Sequence, residues 1–411
     1  MKDFFQLNRN LKLRILMTFI GIMTYSTIGS SMTIYYNQYL GAGITGILLI
    51  ISSVISFLVG IWAGHFTDLE GRRPTMLIGA LASTFGAALA AFSNSPLLFN
   101  PWLTFVGLVL SGFGFGFFNA GASAMMVDIT TPADRKIVFS LNYWMLNVGM
   151  AVGSAISGWL FRDHLFFLLI LVVCGDLLNM LIVAFLIEET FDPKKHVEHQ
   201  ETNIFKAYLQ VSKDKIFMLY LLATLFVTML FLQLDFFIPV HLSNSFKTSS
   251  IFGMQIYGQR MLTIIAILNT VMVVLFLSTV RKATSNWSNK RGFAVGAGLM
   301  GLGFAIICFG QTLPFALLGA LINVCGELIF VPFEQSLRAD MMDPEQVGVY
   351  TGAFTAIQPM AQIICGLLVS LSAFYSGFGM GVILIVVTLL AMIPGMISIG
   401  KYEKKLSALT K

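Results

Sequence analysis

The sequence predicts an all-α membrane protein whose twelve spanning helices form two pseudo-symmetric six-helix halves, and three observations predict it. Of the 411 residues, 57% are apolar and only 11% are charged, where a soluble domain carries roughly 25% charge. The mean hydropathy is +0.83, which excludes a water-soluble enzyme. The apolar residues come in long unbroken runs such as Leu165–Ile187 and Ile216–Leu234, each near the ~20 residues that a helix needs to cross a bilayer. A membrane β-barrel would instead alternate in segments of about ten residues. Finally, the polar loops of the first half recur in the second.

Breaks at polar, Gly, Pro and Asn residues divide the apolar runs into twelve spans. The first half holds spans near 13–36, 44–66, 75–94, 102–127, 137–161 and 165–187. The second holds 216–239, 253–280, 292–311, 314–337, 349–374 and 377–400. Span 1 exceeds a signal-peptide core and lacks a small-residue cleavage pattern, so it stays a helix. Glycine is abundant, at 37 residues, and lets membrane helices approach closely. Cys174, Cys308, Cys325 and Cys365 all lie in apolar runs, which excludes a disulfide framework or a CxxC metal site. With the N-terminus inside, 22 of the 25 Lys and Arg residues fall on the cytoplasmic side, leaving only Arg162, Lys247 and Arg260 outside. The positive-inside rule therefore predicts a multi-pass protein of the cell membrane with both termini cytoplasmic. The net charge of +5 then reflects topology rather than nucleic-acid binding.

The longest polar stretch, Glu188 to Lys215, separates residues 1–188 from 216–411, with 189–215 as a cytoplasmic linker. Residues 203–214 within it are amphipathic and suit a helix on the membrane surface. His196, Glu198, His199 and Glu201 have metal-ligand chemistry, but a solvated charged linker is the preferred reading and no metal is assigned. The loop after span 4, Val127-Asp-Ile-Thr-Thr-Pro-Ala-Asp-Arg135, resembles Ala339-Asp-Met-Met-Asp-Pro-Glu-Gln-Val347 after span 10. Asp128 aligns with Asp340 and Pro132 with Pro344, both 212 residues apart. Gly71-Arg-Arg-Pro74 and Asn289-Lys-Arg-Gly292 form a weaker second pair. Two homologous halves are the plan of many secondary transporters.

The strongest motif is Gly64-His-Phe-Thr-Asp68-Leu-Glu-Gly71-Arg72-Arg73, between spans 2 and 3. Gly64 and Gly71 permit close backbone approach and a tight turn. Asp68 can cap the positive N-terminus of a neighbouring helix, and Arg72 or Arg73 can pair with Asp128. Such a cluster would latch one conformation and release in another. This stretch resembles the G-x-x-x-D-[RK]-x-G-[RK]-[RK] signature of the major facilitator superfamily at every fixed position except Leu69. On span 5, Gly149-x-x-x-Gly153-Ser-Ala-Ile-Ser-Gly158 is similar to the antiporter motif of its drug:proton branch, with Ser154 for the usual Pro and Ser157 for a Gly. Ordinary small-residue helix packing explains that stretch equally well. Gly112-Phe-Gly-Phe-Gly116 mimics a dinucleotide loop, but it follows no strand, so packing glycine is the reading and no cofactor is implied.

Carboxylates inside spans carry the functional expectation, because an ionised acid in the bilayer is costly and marks ion or proton pathways. Asp235 lies in the outer part of span 7, with Thr224 and Thr228 on the same face. Glu327 lies in span 10, with Asn323 four residues earlier and Glu334 seven later. Loss of water disfavours the charged form, so both are proton-coupling candidates. Asp176 is the third, although span 6 is expected to be peripheral scaffold. Arg260 in span 8 is either a counter-charge to Asp235 or an interfacial arginine. Spans 1, 4, 7 and 10 would line a common cavity. The substrate-binding set is Glu327, Asn323, Asp235, Asn142, Tyr25, Tyr36 and Asn119.

Further stretches, Ser30–Gly41, Ile44–Leu49, Val240–Thr248 and Ile256–Ile264, resemble a proton-coupled multidrug transporter of the drug:proton branch. The resemblance runs the length of the chain. It implies the twelve-helix major facilitator fold, alternating access, and efflux of lipophilic cations in exchange for protons. Asp68, Asp128, Asp235 and Glu327 match acidic positions of that transporter, while Asn142 and Thr388 stand where it has acids. The sequence thus points to a proton-coupled multidrug exporter whose partners are protons, lipophilic cationic small molecules and membrane lipids. It is expected to act as a monomer, with no nucleic-acid partner. The alternatives are a transporter of one lipid or metabolite on the same fold, or a transport-inactive sensor. An enzyme has no support, since HExxH and paired Ser/His are absent from the spans.

Overall fold

A computed structural model describes residues 9–130, 135–191, 212–251, 253–342 and 347–409. The helices α1 (9–40) and α2 (42–70) form one stretch, Arg9–Glu70, of 62 residues. At 1.5 Å per residue this is about three times the ~30 Å of a bilayer core, and it breaks where Gly41 takes φ 80° and ψ 162°. Only glycine adopts that conformation without strain. Then follow α3 (Arg72–Phe92), α4 (Pro101–Asp128), α5 (Arg135–Leu160) and α6 (Leu165–Phe185). Next are α7 (Lys215–Phe231), a 3-10 turn (Leu232–Leu234) and α8 (Phe237–Ser245). The chain ends with α9 (Gly258–Ala283), α10 (Asn289–Phe309), α11 (Leu313–Asp340), α12 (Val347–Leu371) and α13 (Gly377–Leu409).

Ten helical stretches among the described residues are long and apolar enough to cross a membrane, with Lys215–Ser245 counted as one. Dividing the first at Gly41 and adding α5 accounts for the twelve spans. The predicted ends shift at three places. Span 7 is interrupted by the 3-10 turn, where Gln233 is buried and donates to the Met229 carbonyl at 2.7 Å. Span 8 starts later than 253 because β3 (Ser249–Ile251) and β4 (Met254–Ile256) pair as a hairpin. The last helix continues to Leu409. A second hairpin, β1 (Asn94–Ser95) with β2 (Leu98–Phe99), joins α3 to α4.

Side-chain caps set several helix starts, because the first N–H groups of a helix have no internal partner. Asn100 accepts from the backbone of Trp102 and Leu103, ahead of Pro101 at the first turn of α4. Asp214 caps α7 through Ile216 and Phe217, and Ser288 caps α10 through Arg291.

The chain divides into two compact units: residues 1–41 with 48–197, and 42–47 with 198–411. In the first, α1, α3, α4 and α6 share a core of Met17, Ile20, Met76, Phe118, Met125 and Val183. The α3–α4 pair packs backbone to backbone: a Cβ on Gly79 would lie 2.3 Å from the Phe118 nitrogen, and one on Gly114 2.2 Å from the Ser83 nitrogen. In the second unit α10 and α11 pack the same way, through Gly303 against the Asn323 nitrogen and Gly326 against the Met300 nitrogen, each at 2.5 Å. The packing glycines of α4 and α11 correspond, Gly107 with Gly319 and Gly114 with Gly326, at the spacing of 212 that relates Asp128 to Asp340. Pro132, Pro344, His196, Glu198, His199, Glu201 and most of 203–214 lie outside the described residues. The four cysteines are free.

Candidate functional site

The α2–α3 turn is held by a charge cluster. Gly71 has φ 101°, and a Cβ there would lie 2.8 Å from Glu189 Oε2. Arg72, only 3% exposed, donates from Nε to Asp128 Oδ2 at 2.7 Å and from Nη1 to the Thr67 carbonyl at 2.9 Å. Its contact with Asp68 is longer, 3.4 Å, and Asp68 is largely exposed. Phe191 lies beneath the guanidinium, 4.8 Å from CZ to the ring centroid. Arg73 donates to the Val183 and Ala184 carbonyls at the C-terminus of α6, where a cation opposes the helix dipole. Of the two arginines, Arg72 is the partner of Asp128. Glu189 caps α3 by accepting from the Arg72 and Arg73 backbone at 3.2 and 3.0 Å, while Asp68 lies near the end of α2, one turn from Arg72. Gly64 is a correction, since a Cβ there meets nothing within 4 Å.

Asp176 on α6 is buried and accepts from Ser83 Oγ at 2.5 Å and Thr24 Oγ1 at 3.2 Å. It borders a cavity of about 210 Å³ that reaches Tyr25, Tyr36, Met32, Phe105 and Phe115. Tyr25 stacks on Phe115 with centroids 5.0 Å apart, and Tyr36 meets Phe105 edge-on at 5.9 Å. Span 6 thus brings a hydrogen-bonded carboxylate to a cavity walled by hydroxyls and aromatic rings. A smaller cavity of about 20 Å³ beside Asp176 is lined by Gly21, Ser83 and Asn179, and the buried Asn179 Oδ1 has no hydrogen-bond partner among the described residues.

Asn119 and Asn142 lie elsewhere, on a third cavity of the same unit, of about 330 Å³. There Asn142 Oδ1 accepts from Thr18 Oγ1 at 2.8 Å, and Thr18 accepts from Arg14 Nη1 at 2.6 Å. Gly149 and Gly153 of α5 pack against α1: a Cβ on Gly153 would lie 2.2 Å from Ser26 Oγ. That contact favours the packing reading of the span-5 motif.

In the second unit, Glu327 is half-buried on α11 and accepts from Asn269 Nδ2 of α9 at 2.6 Å. It makes no ion pair among the described residues. Asn323 turns away from it and donates to the Met300 carbonyl of α10 at 3.2 Å, because it sits on the glycine stripe where α10 and α11 touch. Asp235 is exposed rather than buried, since the 3-10 turn ends the helix immediately before it. Thr224 and Thr228, expected beside Asp235, instead line a cavity of about 270 Å³ with Phe231, Phe330, Glu334 and Arg338. Arg260 donates to the Gln255 carbonyl at 2.7 Å and lies over the Tyr257 ring.

Four participants escaped the sequence: Glu189, counted in the linker; Arg14, counted as a topogenic charge; and the amides of Asn269 and Asn179. The spacing of Arg14 and Thr18, one turn apart, was the available signal. The amides carried none.

Spanning helices with carboxylates and an arginine held inside them, and cavities beside those charges, define a membrane transporter rather than an enzyme. The chain belongs to the Major Facilitator Superfamily, whose family profile matches residues 15–358. It is 27% identical over 387 residues, 90% of this chain and 91% of the relative, to a protein of Planococcus maritimus named Na(+), Li(+), K(+)/H(+) antiporter. It is 24% identical over 330 residues, covering 78% of this chain and 76% of the relative, to the multidrug resistance protein MdtH of Photorhabdus laumondii. The fold is shared with a solved POT family transporter in complex with 5-aminolevulinic acid. That match has a TM-score of 0.71 at 17% identity, over 94% of this chain and 96% of the other. It is shared also with a mutant of the nucleoside transporter NupG, at a TM-score of 0.77 and 13% identity, over 95% and 100%.

Proposed function

We propose that the protein is a proton-coupled antiporter of the cell membrane that exports lipophilic, mostly cationic compounds by alternating access. Its two halves, 1–188 and 216–411, joined by 189–215, would exchange exposure of the cargo, with both termini cytoplasmic and the monomer as the working unit. The observation that carries the reading is Glu327, a carboxylate inside a spanning helix whose one described partner is the neutral Asn269. In low dielectric an unpaired negative charge is costly, so a proton and a cationic cargo compete for it. Asp176, at the end of a cavity faced by Tyr25, Phe115 and Met32, combines a carboxylate with the adaptable surfaces that suit varied organic cations. The name of the Photorhabdus relative, and the stretches that resemble the multidrug transporter LmrP, support the same cargo class.

A second reading, exchange of an alkali cation for protons, has its own observation. The 20 Å³ cavity is about the size of one small occupant, and Asp176, Ser83 and the unpartnered Asn179 Oδ1 offer oxygen ligands. The name of the Planococcus relative supports it. One experiment separates the two readings: reconstituted protein under an imposed pH gradient, offered a cationic dye or Na⁺ and Li⁺. The first reading expects dye transport and proton release on dye binding, with Glu327→Gln abolishing the release and weakening cationic far more than neutral dyes. Collapse of the gradient by Na⁺ or Li⁺ without dye movement favours the second. No response to either cargo refutes both and leaves a lipid or metabolite as cargo, or a sensor.

A further inference from the structure

Arg14 lies on α1 with 3% of its surface exposed. Its Nε donates to the Ala122 carbonyl of α4 at 2.9 Å, and its Nη1 donates to Thr18 Oγ1 at 2.6 Å. Both acceptors are neutral. Among the described residues Arg14 makes no ion pair, and none of those lining the cavity of about 330 Å³ that it borders is an Asp or Glu. A buried charge without a counter-charge costs several kcal/mol, and two neutral hydrogen bonds offset only part of that. The other polar groups on the cavity are also suited to donate. The Thr18 hydroxyl donates to Asn142 Oδ1, which leaves the two amide hydrogens of Asn142 for the cavity, and Asn119 and Ser123 add an amide and a hydroxyl. The remaining wall is apolar, with Phe115, Met126 and Leu146 among its members.

We propose that this cavity binds the carboxylate head of a lipophilic monocarboxylate, with Arg14 as its counter-charge and Asn142 as a second donor. A planar guanidinium matches a carboxylate in geometry and charge. A phosphate dianion would leave one charge unmatched, and a bare inorganic ion would leave the apolar wall unused. The assignment adds an anionic ligand to a transporter read above as carrying cations. It rests on a different cavity and can fail or stand without that reading.

The test is equilibrium binding of a fluorescent fatty acid, dansyl-undecanoate, to the purified full-length protein in a non-ionic detergent, with competition by decanoate, decanol and inorganic phosphate. Saturable binding is expected, displaced by decanoate and at least tenfold less well by decanol or phosphate. Because Arg14 also ties α1 to α4, Arg14→Gln can fail to fold, so Asn142→Asp is the decisive variant. It places a carboxylate on the cavity beside Thr18 and satisfies the guanidinium internally. It should weaken dansyl-undecanoate binding at least tenfold while the protein remains monodisperse. Unchanged affinity in Asn142→Asp, or decanol competing as well as decanoate, overturns the proposal. Phosphate competing as well as decanoate also overturns it, in favour of a small-anion site.

Discussion

Replacing Asp128 by asparagine removes the charge that meets the buried Arg72 guanidinium at 2.7 Å, and it should cost more stability than the same change at Asp68. Asparagine keeps an acceptor at that position, so the loss is the difference between two kinds of hydrogen bond. A bond to a charged group contributes about 1.5–3 kcal/mol and a neutral one about 0.5–1.5, which gives about 1–1.5 kcal/mol. The Asp128 side chain is 24% exposed, so solvent screening brings this toward about 1. Asp68 lies 3.4 Å from Nη1 with its side chain 64% exposed, the regime of surface pairs, and about 0–0.5 kcal/mol is expected. Equilibrium unfolding in mixed detergent micelles, followed by tryptophan fluorescence, resolves that difference. High salt should erase what little Asp68 contributes and leave most of the Asp128 effect. Transport should rank the other way if the exposed acid acts in switching: Asp68→Asn should impair it in a protein of normal stability. Equal destabilisation by the two substitutions would refute the assignment of Arg72 to Asp128, and wild-type transport in Asp68→Asn would refute the latch.

Three further outcomes follow at and beside the same turn. Glu189→Gln removes an anion from the N-terminus of α3 and should cost about 0.3–1 kcal/mol in the same unfolding assay, with no loss in Glu188→Gln, whose carboxylate makes no contact with that terminus. Gly71→Ala should cost about 1–3 kcal/mol, because it forces a side chain to φ 101° and ψ 173° against Glu189. Gly64→Ala, in open space on a helix, should be neutral or stabilising by up to about 1 kcal/mol, and a stability loss there would show a close contact that the fold lacks.

The helices were legible because an apolar run of about 20 residues has few other uses, and because Gly, Pro and Asn punctuate it. What hydropathy could not see is backbone conformation inside a run. The turn at Leu232–Leu234 interrupts the run read as span 7, and the strand Met254–Ile256 falls inside the stretch read as the start of span 8. The glycines that pack α4 on α3 and α11 on α10 were in plain view at a spacing of 212. They lie in the middle of spans, where a glycine reads as one of 37 until its neighbour is known.

The acids of the site were visible for an energetic reason: a carboxylate in an apolar run is expensive, so Asp176 and Glu327 stand out whatever surrounds them. Their partners were not visible, because hydrogen bonds in a helical bundle join positions far apart in the chain. Asn269 lies 58 residues from Glu327, and Ser83 lies 93 from Asp176. The nearer residue Asn323, one turn from Glu327, looked like the partner and is not, since the glycine stripe that it shares claims its amide for Met300. Asp235 shows the converse, an acid within an apolar run whose helix ends just before it and turns it outward. Arg14 shows a third case. Counting basic residues to orient the chain treats each as an exposed charge, and the same residue that supports the topology is, in three dimensions, a buried charge with no carboxylate beside it among the described residues. A topogenic charge at the edge of a span is therefore informative twice, once by its side of the membrane and again by whether a carboxylate answers it. In this chain Arg72 has that answer in Asp128, and Arg14, among the described residues, meets a carbonyl and a hydroxyl.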